Sequence, residues 1–346
     1  MKPKKNLQLK AGVIITVGML FASFSFYFYQ IFFTPNIQLK KDNFYLYIPT
    51  GATFDAVRDT LNKNDVLNDK VSFYFLSKLT GYTDKVKPGR YLLTSNSNNL
   101  NTIKMLKRGT QSPVKLTYNN IRLKSELVEK LSSRFEFSSE ELLSILNNEE
   151  FAKRNGLDTT TIISLFIPNT YEIYWNTTAE KFMDRIINEY QKFWNGSRDE
   201  KAESIGMSKA QVSILASIVE AETAKNSEKS RVAGVYVNRL KSNMPLQADP
   251  TIKFAVGDFS LKRIYSGHLA TESPYNTYKY TGLPPGPINL PSISSIDAVL
   301  NYERHKYIYF CANSQLNGYH EFAETYDQHR ENAESYRKAL NRLNIK

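Results

Sequence analysis

Residues 208–224 read SKAQVSILASIVEAETA, and the reading of the fold starts from this stretch. Ser208 is an N-cap residue type ahead of an unbroken apolar or small run over 212–219, which predicts a helix buried nearly all round. Two carboxylates, Glu220 and Glu222, close the run. At about 100° per residue they point roughly 200° apart, so they cannot both face one cleft directly. Ile214, Ile218 and Glu222 form one row at helical spacing, and Leu215, Val219 and Glu222 another. Glu222 therefore continues the apolar stripe and Glu220 does not. A carboxyl among apolar neighbours loses hydration and its pKa rises. That is what a general acid working near neutral pH requires. Periodicity alone leaves a plainer reading open, in which the apolar face has ended and both glutamates are solvated.

Downstream, Asn238-Arg239 closes the next helix, and the texture then changes. Residues 244–292 hold Pro245, Pro250, Gly257, Gly267, Pro274, Gly282, Pro284, Pro285, Gly286, Pro287 and Pro291, and read as long loops of the kind that carry function. Within them lie Gln247, Asp249, Thr251, Tyr275, Asn276 and Tyr278. Amides, carboxylates and Arg239 beside tyrosines are a usual lining for a sugar groove. Each piece taken singly also fits a proline-stiffened structural loop. The chain ends with an expected strand over 307–310, with the adjoining Cys311 read as core, and a polar C-terminal helix.

Upstream, residues 113–207 predict a strand over 114–118 and short helices over 125–131 and 139–147. An amphipathic helix follows over 180–194, with Phe182, Ile186, Ile187, Tyr190 and Trp194 on one face. Residues 43–111 predict a separate small α/β module. Its expected strands cover 44–49 and 90–93, and its helices follow Thr53, cover 69–80 and cover 100–107.

The N-terminus adds location. Lys2, Lys4, Lys5 and Lys10 form a basic stub over 1–10, and residues 11–33 carry no charge. At about 1.5 Å per residue that run spans a hydrocarbon core of roughly 30 Å. It ends in aromatic residues suited to the headgroup level. A cleaved signal peptide would have a shorter apolar region and a small-x-small site, which Ala22-Ser23-Phe24-Ser25 matches poorly. The stretch predicts an uncleaved membrane helix with the lysines on the cytoplasmic side, then a polar linker over 34–42. The whole chain of 346 residues has a formal charge of +11, four of it in the stub. The exported remainder would meet anionic lipids and wall polymers rather than nucleic acid. One cysteine excludes an internal disulfide. No zinc spacing, G-x-S-x-G, phosphate loop or dinucleotide fingerprint is present, so no metal or cofactor is expected.

Taken in order, VEAET, VYVNRL, LQADPT, YNTY and GLPPGPI, with Pro168-Asn169-Thr170-Tyr171, closely resemble the endolytic murein transglycosylases (the MltG/YceG-like family). The family's C-terminal H-x-F…EHN element appears in altered form as His320-Glu321-Phe322 and Gln328-His329-Arg330. Asn169 stands where the family usually has Asp, and Leu290 and Ser292 interrupt its pattern after GPI. The resemblance implies an α+β architecture: a membrane anchor, a LysM-like module at 43–111, and a mixed α+β catalytic domain over 113–346. It implies cleavage of the MurNAc–GlcNAc bond in nascent peptidoglycan, with 1,6-anhydroMurNAc ends and no water consumed. The family's catalytic Glu falls in VEAET and is assigned to Glu222, with Glu220 in reserve. Asn238, Arg239, Gln247, Asp249, Thr251, Tyr275, Asn276 and Tyr278 are the expected groove residues. Peptidoglycan strands and the synthases of elongation or division are the expected partners. A non-catalytic glycan-binding anchor protein, an ordinary muramidase hydrolase and a recruiting scaffold are the alternatives.

Overall fold

The structure, a computed structural model, describes residues 3–40, 43–119 and 121–343; Lys2 of the basic stub and residues 41 and 42 of the expected linker lie outside them. The chain divides into two compact units, Met1–Lys115 with Glu172–Thr177, and Leu116–Tyr171 with Thr178–Lys346. Both helices and strands are present throughout, a mixed α+β composition.

The first unit opens with α1 (Pro3–Phe33), which runs on through the basic stub instead of starting after it. Its segment Leu7–Phe33 is long and apolar enough to cross a membrane and fits a single-pass anchor. Then come β1 (Asn43–Ile48), α2 (Phe54–Lys63), α3 (Lys70–Leu79), β2 (Gly89–Thr94) and α4 (Asn99–Arg108). The strands are antiparallel, with Asn43 opposite Thr94 and Ile48 opposite Gly89. Period-two alternation turns Leu46, Ile48, Tyr91 and Leu93 inward, onto Val57 and Leu61 of α2, Phe73 and Leu76 of α3, and Ile103 and Leu106 of α4. Asp69 caps α3 by accepting from Val71 N and Ser72 N, and Asn98 caps α4 by accepting from Asn101 N.

The stretch expected as a free polar linker is instead woven into this core. Ile37 is 3% exposed, and Pro35 and Ile37 make β-bridges to Asn98 and Leu67. Asn36 supplies the reason, since a buried amide must find partners. Its Nδ2 donates to Asn99 Oδ1 at 2.7 Å and to the Asp69 carbonyl at 2.8 Å, and its Oδ1 accepts from Asp69 N. Asn99 in turn donates to the Ile31 carbonyl at 2.9 Å, so the last turn of α1 belongs to the same core.

The chain crosses between units at β3 (Val114–Thr117) and β4 (Thr170–Ile173). The second unit contains α5 (Lys124–Ser132), α6 (Ser139–Leu146), α7 (Glu149–Arg154), a 3-10 turn at Ile162–Leu165, α8 (Ala179–Trp194) and α9 (Ser197–Ser204). Its centre is α10 (Lys209–Glu222), with Val212 through Val219 all buried. Ser208 and Gln211 close its start as a reciprocal capping box. Packed against α10 are α11 (Asn226–Lys241), α12 (Asp249–Val256) and α14 (Ile293–Leu300); α13 (Ser266–Leu269) is a single turn. A hairpin of β5 (Tyr309–Ala312) and β6 (His320–Ala323) and the terminal α15 (Tyr326–Arg342) complete the unit.

Two expectations change here. The 244–292 stretch is not wholly loop: α12 lies within it, with Pro250 at its first positions and Gly257 (φ 78°) as its left-handed C-cap. Proline just inside a start and glycine just past an end are helix punctuation, here read as loop. The strand expected over 307–310 is displaced to Tyr309–Ala312, and Cys311 within it is half-buried, not core.

Candidate active site

The last turn of α10 delivers its two glutamates to different surroundings, as their angular separation requires. Glu220 Oε2 accepts from Lys229 Nζ at 2.9 Å, from Ser292 Oγ at 2.5 Å and from Ser295 Oγ. Burial alone would raise its pKa, but these three donors outweigh burial and hold it below the ordinary glutamate range. Lys229 is 3% exposed and spends its ammonium on this one carboxylate and its flanking serines. Glu220 is thus the ionised, half-buried partner of the buried Lys229, in a salt bridge that ties α10 to α11 and to the start of α14.

Glu222 is in the opposite condition. It keeps a path to solvent through a cleft, yet protein atoms crowd its carboxyl, and desolvation pushes its pKa up to about 7. Tyr236 OH donates to Oε1 at 2.7 Å and, with Lys253 and Arg239, pulls the pKa part of the way down, while Asp249 pushes it up. The hydrogen bond occupies one carboxyl oxygen and leaves Oε2 for a ligand. A fair fraction of the group is protonated at neutral pH, as a proton donor to an ether oxygen needs to be.

The cleft holding Glu222 has a volume of about 320 Å³. Arg239, Gln247, Asp249 and Tyr278 line it beside Glu222. Arg239 is 7% exposed and braces the cleft, donating from Nε to the Ile308 carbonyl and from Nη1 to the Leu246 carbonyl and Gln247 Oε1. Tyr278 OH donates to Asp249 Oδ1 at 2.6 Å. Gln247 holds a left-handed backbone (φ 52°), with its N–H on the Thr277 carbonyl.

The other expected groove residues lie elsewhere and spend their polar atoms on the fold. Asn238 Nδ2 donates to the His305 and Tyr307 carbonyls. Thr251 is fully buried, its hydroxyl on the Ala248 carbonyl and Thr277 Oγ1. Asn276, also fully buried, donates to the Leu269 and Thr271 carbonyls. Tyr275 packs on Phe254 at 4.6 Å and is not part of the cleft lining. Conversely, Phe310, Cys311, His320 and His329 do line it. In sequence the two histidines stand only within the C-terminal element; β6 and α15 carry them to the cleft, which spacing along the chain does not announce. A second cleft of about 420 Å³ opens at Glu220 and Ala221, lined by Arg122, Pro250, Lys253, Phe259 and Leu290.

A family model described as YceG-like matches residues 46–335. The chain belongs to the YceG-like family. Among its curated relatives, the endolytic murein transglycosylase of Bacillus subtilis (strain 168) is 29% identical over 315 residues, covering 85% of each chain. That of Streptococcus pneumoniae (serotype 2, strain D39) is 28% identical over 296 residues, 77% of this chain and 53% of the pneumococcal one. The crystal structure of a yceG-like protein from Listeria monocytogenes superposes with a TM-score of 0.55 at 26% identity, covering 84% of this chain and 99% of that one. Within this YceG-like chain, Ser292 has a structural use. It caps α14 by accepting from Ser295 N, and it donates to Glu220.

Proposed function

We propose that this protein is a membrane-anchored endolytic lytic transglycosylase. It would cut the MurNAc–GlcNAc bond within nascent peptidoglycan strands and leave 1,6-anhydroMurNAc ends, so ending strand elongation. The observation that carries the reading is Glu222: a carboxyl held near neutral pKa at the end of a buried helix, in a cleft furnished with Arg239, Gln247, Asp249 and Tyr278. The relatives named endolytic murein transglycosylase supply the substrate class.

Protonated Glu222 donates to the glycosidic oxygen as the C1–O4 bond lengthens. The C6 hydroxyl of the same MurNAc attacks C1, and in the simplest cycle its proton returns to the Glu222 carboxylate. The nucleophile is already attached to the electrophile, so its effective concentration is high and no activated water is needed. Asp249 stabilises the positive charge developing at C1, and Tyr278 fixes its orientation. α1 anchors the protein with its N-terminus in the cytoplasm and the chain that follows it outside. The 43–111 module, read as LysM-like, would hold the glycan, and the synthases of elongation or division would supply it.

A hydrolytic muramidase is the second reading, because Asp249 gives the Glu222 cleft the second carboxylate that hydrolases use. The deciding experiment incubates the purified full chain in detergent with uncrosslinked strands in oxygen-18 water. Anhydro ends without label support the transglycosylase; labelled reducing ends support the hydrolase; no cleavage by a folded protein sinks both.

A further inference from the structure

One buried carboxylate is not used by that reaction. Glu228, in the first turn of α11, is 5% exposed, and among the described residues no lysine or arginine pairs with it. Its two oxygens both serve His320. Oε1 accepts the His320 backbone N–H at 2.9 Å, and Oε2 lies 3.0 Å from His320 Nδ1. The ring stands edge-on to Phe310 at 5.3 Å, which fixes its plane. A carboxylate at Nδ1 puts the ring hydrogen on that atom and leaves the lone pair on Nε2. Nε2 has no hydrogen-bond partner among the described residues, and the side chain lines the Glu222 cleft. A carboxylate behind an imidazole, with the far nitrogen open to a site, is the arrangement that makes a histidine a base.

Glu222 gives this arrangement a task. Tyr236 holds Oε1, so a single free oxygen would both release a proton to O4 and collect one from O6. We propose that His320 is a second catalytic residue, its Nε2 accepting the C6 hydroxyl proton as O6 attacks C1, with Glu228 as its positioning residue. In this step O6–C1 forms and C1–O4 breaks. The Glu222 proton leaves with O4, and the O6 proton moves to Nε2. The imidazolium then returns a proton to the Glu222 carboxylate through solvent in the cleft, restoring both groups without any further reactant. The proposal rests on the transglycosylase reading and takes from Glu222 only the base half of its cycle.

The test measures initial rates of anhydro-end formation by the full chain in detergent, across strand concentrations, for His320→Gln, His320→Ala and Glu228→Gln. The expected result is a kcat loss of about 10²-fold or more for both His320 variants, with KM changed less than about threefold, as for loss of a general base. Added imidazole should restore His320→Ala at least about fivefold and leave wild type unaffected. Glu228→Gln should lose kcat about tenfold without a matching rise in KM. The proposal is overturned if folded His320→Gln keeps kcat within about threefold of wild type. It is equally overturned if KM alone rises, because His320 then only binds sugar. If His320→Ala does not fold, His320→Gln and Glu228→Gln decide alone, an unchanged kcat in both overturning the assignment. Labelled reducing ends from wild type would instead sink the transglycosylase reading, a result independent of these variants.

Discussion

The two glutamates of one helical turn carry opposite expectations. Glu222→Gln keeps the shape and removes the proton, so anhydro-end formation should fall by at least about 10²-fold with the fold intact. Its stability has a definite sign. A carboxyl raised to about 7 in the fold stays protonated there while the unfolded chain, with a glutamate pKa of about 4.3, has already ionised. That contribution to stability is present below about pH 4 and is lost as pH rises to about 7. Glu222→Gln should therefore melt above wild type at pH 8, with the gap closing toward pH 5; a constant gap would mean that the carboxyl is not desolvated. Tyr236→Phe removes a donor that favours the charged form, so the alkaline limb of the rate profile should move to higher pH. Glu220→Gln should act on stability rather than chemistry, leaving Lys229 buried without its counter-charge at a cost of about 3 kcal/mol or more. Surviving activity per folded molecule, measured beside a lowered denaturation midpoint, checks this. The difference between these residues was half legible. Two apolar rows ending at Glu222 singled it out by spacing. Nothing in the spacing announced the serines and lysine around Glu220, because Ser292 and Ser295 arrive from seventy residues away in sequence.

At the scale of elements, the buried run 212–219 was readable because eight consecutive apolar or small residues on a capped helix have nowhere to go but inward. Its small polar members look like interruptions until the loop that covers them is seen. Ser217 Oγ accepts from Ile288 N at 3.0 Å, and Asn289 Nδ2 donates to the Ser217 carbonyl at 2.8 Å, so GLPPGPI is laced onto the middle of α10. Ser217→Ala leaves the buried Ile288 N–H unpaired and should cost about 1–3 kcal/mol, read as a shift in urea midpoint at unchanged slope. Long-range lacing of this kind is what periodicity cannot supply. It is also why Asn238, Thr251 and Asn276, polar residues in a promising order, serve the backbone rather than the cleft. Gly234 on α11 shows the same limit from another side. A Cβ there would overlap the Glu303 carbonyl oxygen, and the helix sequence alone gives no sign of that approach.

For the molecule as a whole, the consequential finding is that the end of the long apolar helix α1 shares a core with the α/β module that follows it. Composition made residues 34–42 look like a tether, since polar side chains predominate there. The structure instead pairs Pro35 and Ile37 with the module and buries Asn36, and the Asn36–Asn99 pair reaches back to the Ile31 carbonyl. A tether would let the module turn freely relative to α1. A shared core fixes the module against the last turn of α1. The difference is measurable. Asn99→Ala strips partners from Asn36, Ser72 Oγ and the Ile31 carbonyl together, and should destabilise the first unit by about 2 kcal/mol or more. A soluble form starting at residue 34 loses the Ile31 side chain from the core and the carbonyl that Asn99 holds, whereas one starting at residue 30 keeps both. The shorter form should therefore show faster amide exchange at Asn99 and through α4 than the longer one. Equal protection in the two forms would mean that the module does not depend on α1, and the tether picture would stand.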